Sequence, residues 1–207
     1  MNEQRIKTAD PKNAWVVWGL IIVNTALFLF MHHISSSGSS ASLMLRWGAM
    51  LTSAVKDGEI WRLFTAMFLH FDFQHLFGNM LTLFALGIIL ENGLGHVRTA
   101  VIYLLSGVGA NLISHLWNVA RDEQILSAGA SGAVFGLMGA LIFASLFAWD
   151  RVGGLSLRQI IVLLVLSLYH GVEAAVDDAA HFSGIVLGFL LCGITLLFGR
   201  HKENLPQ

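Results

Sequence analysis

Six apolar stretches constrain this chain more than any other feature. They run over about 14–32, 67–90, 97–118, 128–149, 156–175 and 179–199, each near the ~20 residues a helix needs to cross ~30 Å of hydrocarbon. Charged residues make up only 12% of the 207, about half of the roughly 25% usual in a soluble domain. Neither proline falls inside a stretch, whereas glycine is abundant at 21 residues, as expected where membrane helices pack closely. The expected fold is therefore an all-α membrane protein, a bundle of six transmembrane helices over 14–199. A short cytoplasmic N-terminal segment, 1–13, precedes it and a short cytoplasmic tail, 200–207, follows.

Two spans are less regular. The second is amphiphilic at its start, with His70, Asp72, Gln74, His75 and Asn79, and the fifth is interrupted by Tyr169, His170 and Glu173. The first apolar segment has basic residues before it and Ser, Gly and Ala at 35–42, as a cleaved signal peptide would. Its length, and the charge asymmetry it helps to create, favour a retained helix. The long loop over 33–60 begins Ser/Gly-rich, and its Leu43-to-Val55 part is apolar enough to rest in the membrane interface. Cys192 is the single cysteine, so no internal disulfide can form. A net charge of −1, without a basic stripe, gives no case for nucleic-acid binding.

Orientation follows from lysine and arginine. With six spans both termini share one side, which carries Arg5, Lys7, Lys12, Arg98, Arg151, Arg158, Arg200 and Lys202. The other side carries Arg46, Lys56, Arg62 and Arg121. The positive-inside rule places both termini in the cytoplasm, and the starts of the fourth and sixth spans then face the opposite, extracytoplasmic side.

Polar groups at those two starts are the candidates for chemistry, because such groups are costly in an apolar span. Ser131 lies in Gly129-Ala130-Ser131-Gly132, opening a run to Phe147 without a charge. A hydrolytic serine needs an exposed oxygen, a base and donors for an oxyanion. Flanking glycines and a helix N-terminus supply the first and part of the third. The bland alternative is a packing seam, since Gly132, Gly136 and Ala140 form a small-residue stripe. His181 tips the balance, because it shares a helix face with Gly184 and Gly188. Those glycines would let its helix approach the Gly132/Gly136 seam and bring a neutral imidazole, the natural base for serine, to the hydroxyl. His75 and Asn79, four residues apart, face one way and suit an oxyanion hole. A metal site on His70 and His75 is disfavoured, since five residues separate them by about 140° around a helix. No Cys, Glu or Asp pattern completes a zinc set, so neither a metal nor another cofactor is expected.

In this order on six spans, these motifs resemble the rhomboid family of intramembrane serine proteases. The resemblance runs from Glu59 to Gly188 through Trp61-Arg62, His70, His75, Asn79, Glu91, Gly95, Gly129-Ala130-Ser131-Gly132 and Ala180-His181 with Gly184 and Gly188. It implies a rhomboid-like bundle in which Ser131 is the nucleophile and His181 the general base, working as a dyad. His75 and Asn79 would bind the oxyanion with the Ser131 backbone N–H. His70 would be structural, and Trp61, Arg62 and Glu91 would brace the first loop against the bundle. Phe135 stands where some bacterial members carry a tyrosine that stacks on the catalytic histidine, which leaves the stacking but removes the hydroxyl.

The implied reaction is acyl transfer on an unwound part of another protein's membrane or juxtamembrane segment, so the expected partners are transmembrane protein substrates and the lipid bilayer. The expected location is the inner (cell) membrane of a bacterium. Water must reach Ser131, through a polar cavity lined by His70, His75, Asn79 and Asn111 or His115. Asp177 and Asp178 are expected to be solvated in the loop before His181. The competing readings are a catalytically inactive rhomboid-like binder of membrane proteins, which typically lacks the serine or the histidine, and a transporter. The nine histidines suggest the latter, but neither the internal repeats nor the broken helices common in transporters are evident.

Overall fold

A computed structural model describes residues 9–34, 41–148 and 177–203, with side chains as far as Leu197 in the last helix. Five long helices run through it: α1 (Trp15–Ile34), α5 (Phe73–Leu94), α6 (His96–Ala120), α7 (Ser131–Phe147) and α8 (Asp178–Glu203). The expected span over 156–175 lies outside the described residues. By length and composition α1, α5, α6 and the Asp178–Leu197 part of α8 can each cross a membrane, while α7 is apolar but shorter, with 17 residues. The chain is thus an all-α membrane bundle, with one small departure. Strand β1 (Met50–Leu51) pairs antiparallel with β2 (Leu126–Ser127), Met50 opposite Ser127 and Leu51 opposite Leu126.

Helix boundaries follow local chemistry. The second span starts at Phe73 rather than 67, because Asp72 caps α5 by accepting the His75 N–H at 2.8 Å. The preceding Ala66–Phe68 forms a separate 3-10 turn. Gly95, at φ +91°, ends α5 and lets α6 begin in the opposite direction one residue later. The fourth span starts at Ser131 rather than 128 because the residues before it are held elsewhere. The Gly129 N–H donates to the Ala66 carbonyl at 2.9 Å.

α7 is the central helix. Every residue from Gly132 to Leu141 is buried, as is Ala144, which explains a helix apolar on all sides. It packs against α8, α6 and α5. The outer faces of the other long helices expose large apolar side chains, among them Ile22, Leu29, Leu81, Leu105, Leu116 and Leu190. A surface of that kind is stable in hydrocarbon and a liability in water. Several hydroxyls within the helices are satisfied locally: Thr99, Ser106 and Ser183 each donate to a carbonyl one turn back.

The first loop is built of short helices. It folds into α2 (Ala41–Arg46), α3 (Thr52–Lys56) and α4 (Arg62–Thr65). Met44, Met50 and Val55 are buried against neighbouring protein side chains, so part of the apolar 43–55 stretch packs within the protein itself.

Candidate active site

At the start of α7 the backbone is shaped around a histidine. Gly129 has φ +142°, and a Cβ there would stand 2.6 Å from Cε1 and 2.8 Å from Nε2 of His75, and 3.7 Å from the Ser131 hydroxyl oxygen. The His75 ring, the bare Gly129 backbone and the partly exposed Ser131 therefore converge. Any larger residue at 129 would displace the imidazole. Asn79 is buried one turn along α5 from His75 and donates from Nδ2 to the His75 carbonyl at 3.1 Å.

His70 supports the turn from the other side. Its Nε2 accepts the Ala130 N–H at 3.5 Å, and its ring lies edge-on to His75 with centroids 5.1 Å apart. It sits in the loop ahead of α5, outside the spanning helix. There burial first, and the neighbouring His75 second, push its pKa down to about 3, so it is a neutral hydrogen-bonding group.

His181 is brought in by glycine. A Cβ on Gly184 would run into the Gly132 carbonyl, and one on Gly188 into the carbonyl and Cα of Gly136. The two helices thus touch backbone to backbone, a contact that needs residues without side chains. His181, one turn before Gly184, is buried and stacks on Phe135 with centroids 4.2 Å apart and planes 26° from parallel. Phe135 is itself one turn after Ser131, so the imidazole lies over the first turn of α7. The Nδ1 of His181 is buried with no hydrogen-bond partner among the described residues.

Trp61 and Arg62 order the first loop. Arg62 donates to the carbonyls of Leu45 at 2.6 Å and Ala49 at 2.9 Å and pairs with Glu59, while its guanidinium lies 4.6 Å over the Trp61 ring. The loop joins the bundle elsewhere. Asn111, expected with His115 as an alternative cavity-lining residue, donates to the Leu63 carbonyl at 2.8 Å and so anchors α4. His115 is buried, and its Nδ1 has no hydrogen-bond partner among the described residues.

Two acidic residues differ from their expected places. Glu91 does not brace the first loop. Its buried carboxylate accepts the N–H groups of Val16 and Val17 at 2.9 and 2.8 Å and meets His96 Nδ1 at 2.6 Å. It therefore caps α1 at the opposite end of the bundle from Ser131, where free N–H groups attract an anion. Asp177 is not a solvated loop residue, whereas Asp178 is exposed. The Asp177 carboxylate accepts the Ala180 N–H at 3.0 Å and the hydroxyls of Ser127, at 3.2 Å, and Ser114. Ser114 and Ser127 carried no signal of their own. An aspartate immediately ahead of an apolar helix, however, is an ordinary capping signature. Among the described residues, no group of three or more His, Cys, Asp or Glu side chains converges as a metal site would need.

These features define a polytopic membrane bundle with serine and histidine at the starts of two glycine-packed helices. Comparison with known proteins names the class. A family model of the Rhomboid domain matches residues 57–198, and the chain belongs to the rhomboid family. It is 37% identical over 172 residues to RHOMBOID-like protein 5 of Arabidopsis thaliana, covering 82% of this chain and 55% of that protein. It is 31% identical over 171 residues to Rhomboid protease GluP of Bacillus subtilis (82% and 33% covered) and 28% identical over 205 residues to Rhomboid protease AarA of Providencia stuartii (88% and 73%). The chain spans about half the length of the plant relatives it matches.

Proposed function

We propose that this chain is an intramembrane serine endopeptidase that cleaves transmembrane or juxtamembrane segments of other membrane proteins through an acyl-enzyme. Ser131 attacks the peptide carbonyl. His181 takes the hydroxyl proton and returns it to the leaving amine, and water then releases the acyl group. His75 and Asn79, with the Ser131 N–H, stabilise the oxyanion. The single observation that carries this reading is the stack of His181 on Phe135, one turn from Ser131, across a backbone contact that Gly184 and Gly132 make possible. Family membership, with two named proteases among the relatives, supports the same reaction.

We further read the protein as a six-span protein with both termini on the cytoplasmic side and Ser131 near the opposite face. The relatives come from a plant as well as from bacteria, and they do not single out a bacterial cell membrane. The test is labelling of detergent-purified protein with a fluorophosphonate, followed by incubation with a panel of single-span substrates. Labelling at Ser131, and cleavage lost in Ser131→Ala, is the expected result. Wild-type protein that neither labels nor cleaves would fit the inactive, binding-only relative instead.

A further inference from the structure

We infer that Asp177 is a positioning residue for His181, holding the start of α8 in register with the loop that delivers Ser131. The inference rests on the reading of those two residues as base and nucleophile. Near the site the α7–α8 contact is made by glycine backbones, and the interlocking rings of Phe143, Phe147 and Phe189 lie farther along the helices, so the start of α8 needs a stop of its own. Asp177 supplies that stop. One carboxylate oxygen takes the Ala180 N–H at 3.0 Å, and the residue's own carbonyl takes the His181 N–H at 3.1 Å. The other oxygen takes the hydroxyls of Ser114 on α6 and, at 3.2 Å, Ser127 in β2.

Ser127 lies four residues before Ser131, in the strand paired with Met50. A single side chain thus joins α8, α6 and the approach to α7. Nδ1 of His181 has no partner among the described residues, so the carboxylate is not bonded to the imidazole as the acid of a triad would be. Asp177 acts on the ring through the backbone and the helix start, not by a direct hydrogen bond.

The experiment measures fluorophosphonate labelling of the full, detergent-purified chain, separating the limiting rate at saturating probe from probe affinity, with thermal midpoints alongside. Asp177→Ala should lower the limiting rate by about tenfold or more while affinity stays within about threefold, since small displacements of reacting groups cost rate before binding. A purely structural residue would lower the midpoint and the labelled fraction without that split. Asp177→Asn should recover most of the rate, because its amide oxygen still accepts the Ala180 N–H and the two serine hydroxyls can turn to accept from its nitrogen. Asp177→Asn as slow as Asp177→Ala would overturn the inference in favour of a role for the charge. If Asp177→Ala fails to fold, Ser114→Ala/Ser127→Ala keeps the helix cap and removes the clamp. A wild-type rate in that variant overturns the inference. No labelling of wild type at Ser131 would instead remove the underlying assignment, and this inference with it.

Discussion

Ser131 and His181 stand on different helices, fifty residues apart, and in the proposed reaction neither acts without the other. Ser131→Ala exchanges one small residue for another at a partly exposed helix start, so cleavage should fall by at least about 10⁴-fold with little change in folding. His181→Ala should be comparably inactive, and the double variant no worse than either single one, because the pair acts as a unit. Cleavage rates on one substrate with all three proteins check this. Loss of an oxyanion donor costs about 10²–10³ in rate in a soluble serine protease, and His75→Ala and Asn79→Ala should show smaller, unequal losses. Phe135 offers a finer test. Phe135→Tyr preserves the 4.2 Å stack on His181 and should change turnover only a few-fold, whereas Phe135→Ala removes the ring that holds the imidazole and should cost far more. Equal turnover in the two would remove the stack from the argument.

Helix contacts decide whether those residues meet. Gly184→Val and Gly188→Val each drive a branched side chain into the α7 backbone, at Gly132 and Gly136 respectively. Backbone cannot turn aside as a flexible side chain can, so α8 must move. Overpacking typically costs about 1–3 kcal/mol, and the displacement itself removes activity. Activity should collapse in both, with the larger drop in thermal midpoint at Gly188, where an added carbon meets three Gly136 backbone atoms. Glu91→Ala is the counterpart at the other end. It leaves two α1 N–H groups without their acceptor, a loss of about 2 kcal/mol by analogy with other helix caps. A thermal midpoint unchanged from wild type would show that α1 is held in place by packing alone.

Across the whole molecule, the proposed orientation rests on charge, and burial sets which labels can report it. The one native cysteine, Cys192, is fully buried, so intact protein should be silent to a membrane-impermeant maleimide. Lys56 and Asn13 are both exposed, one in the first loop and one ahead of α1. Lys56→Cys should react from the extracytoplasmic side and Asn13→Cys only after the membrane is opened. The reverse pattern would invert the topology drawn from lysine and arginine.

Much of this was legible in the residues. Uninterrupted apolar runs mark helices that can cross a bilayer, because a bilayer penalises charge wherever it falls. Ser131, His181, and the glycine spacing behind them likewise follow from local pattern. What the linear order could not contain is which polar group meets which. Glu91 reads as a partner for the first loop but caps α1, because the direction of α5 carries it to the opposite end of the bundle. Asn111 anchors α4 through the Leu63 carbonyl, and Asp177, which reads as a solvated loop residue, ties three elements together. A buried hydrogen bond is set by which backbone or side-chain group the packed helices bring within 3 Å. That pairing exists only once the tertiary fold has closed.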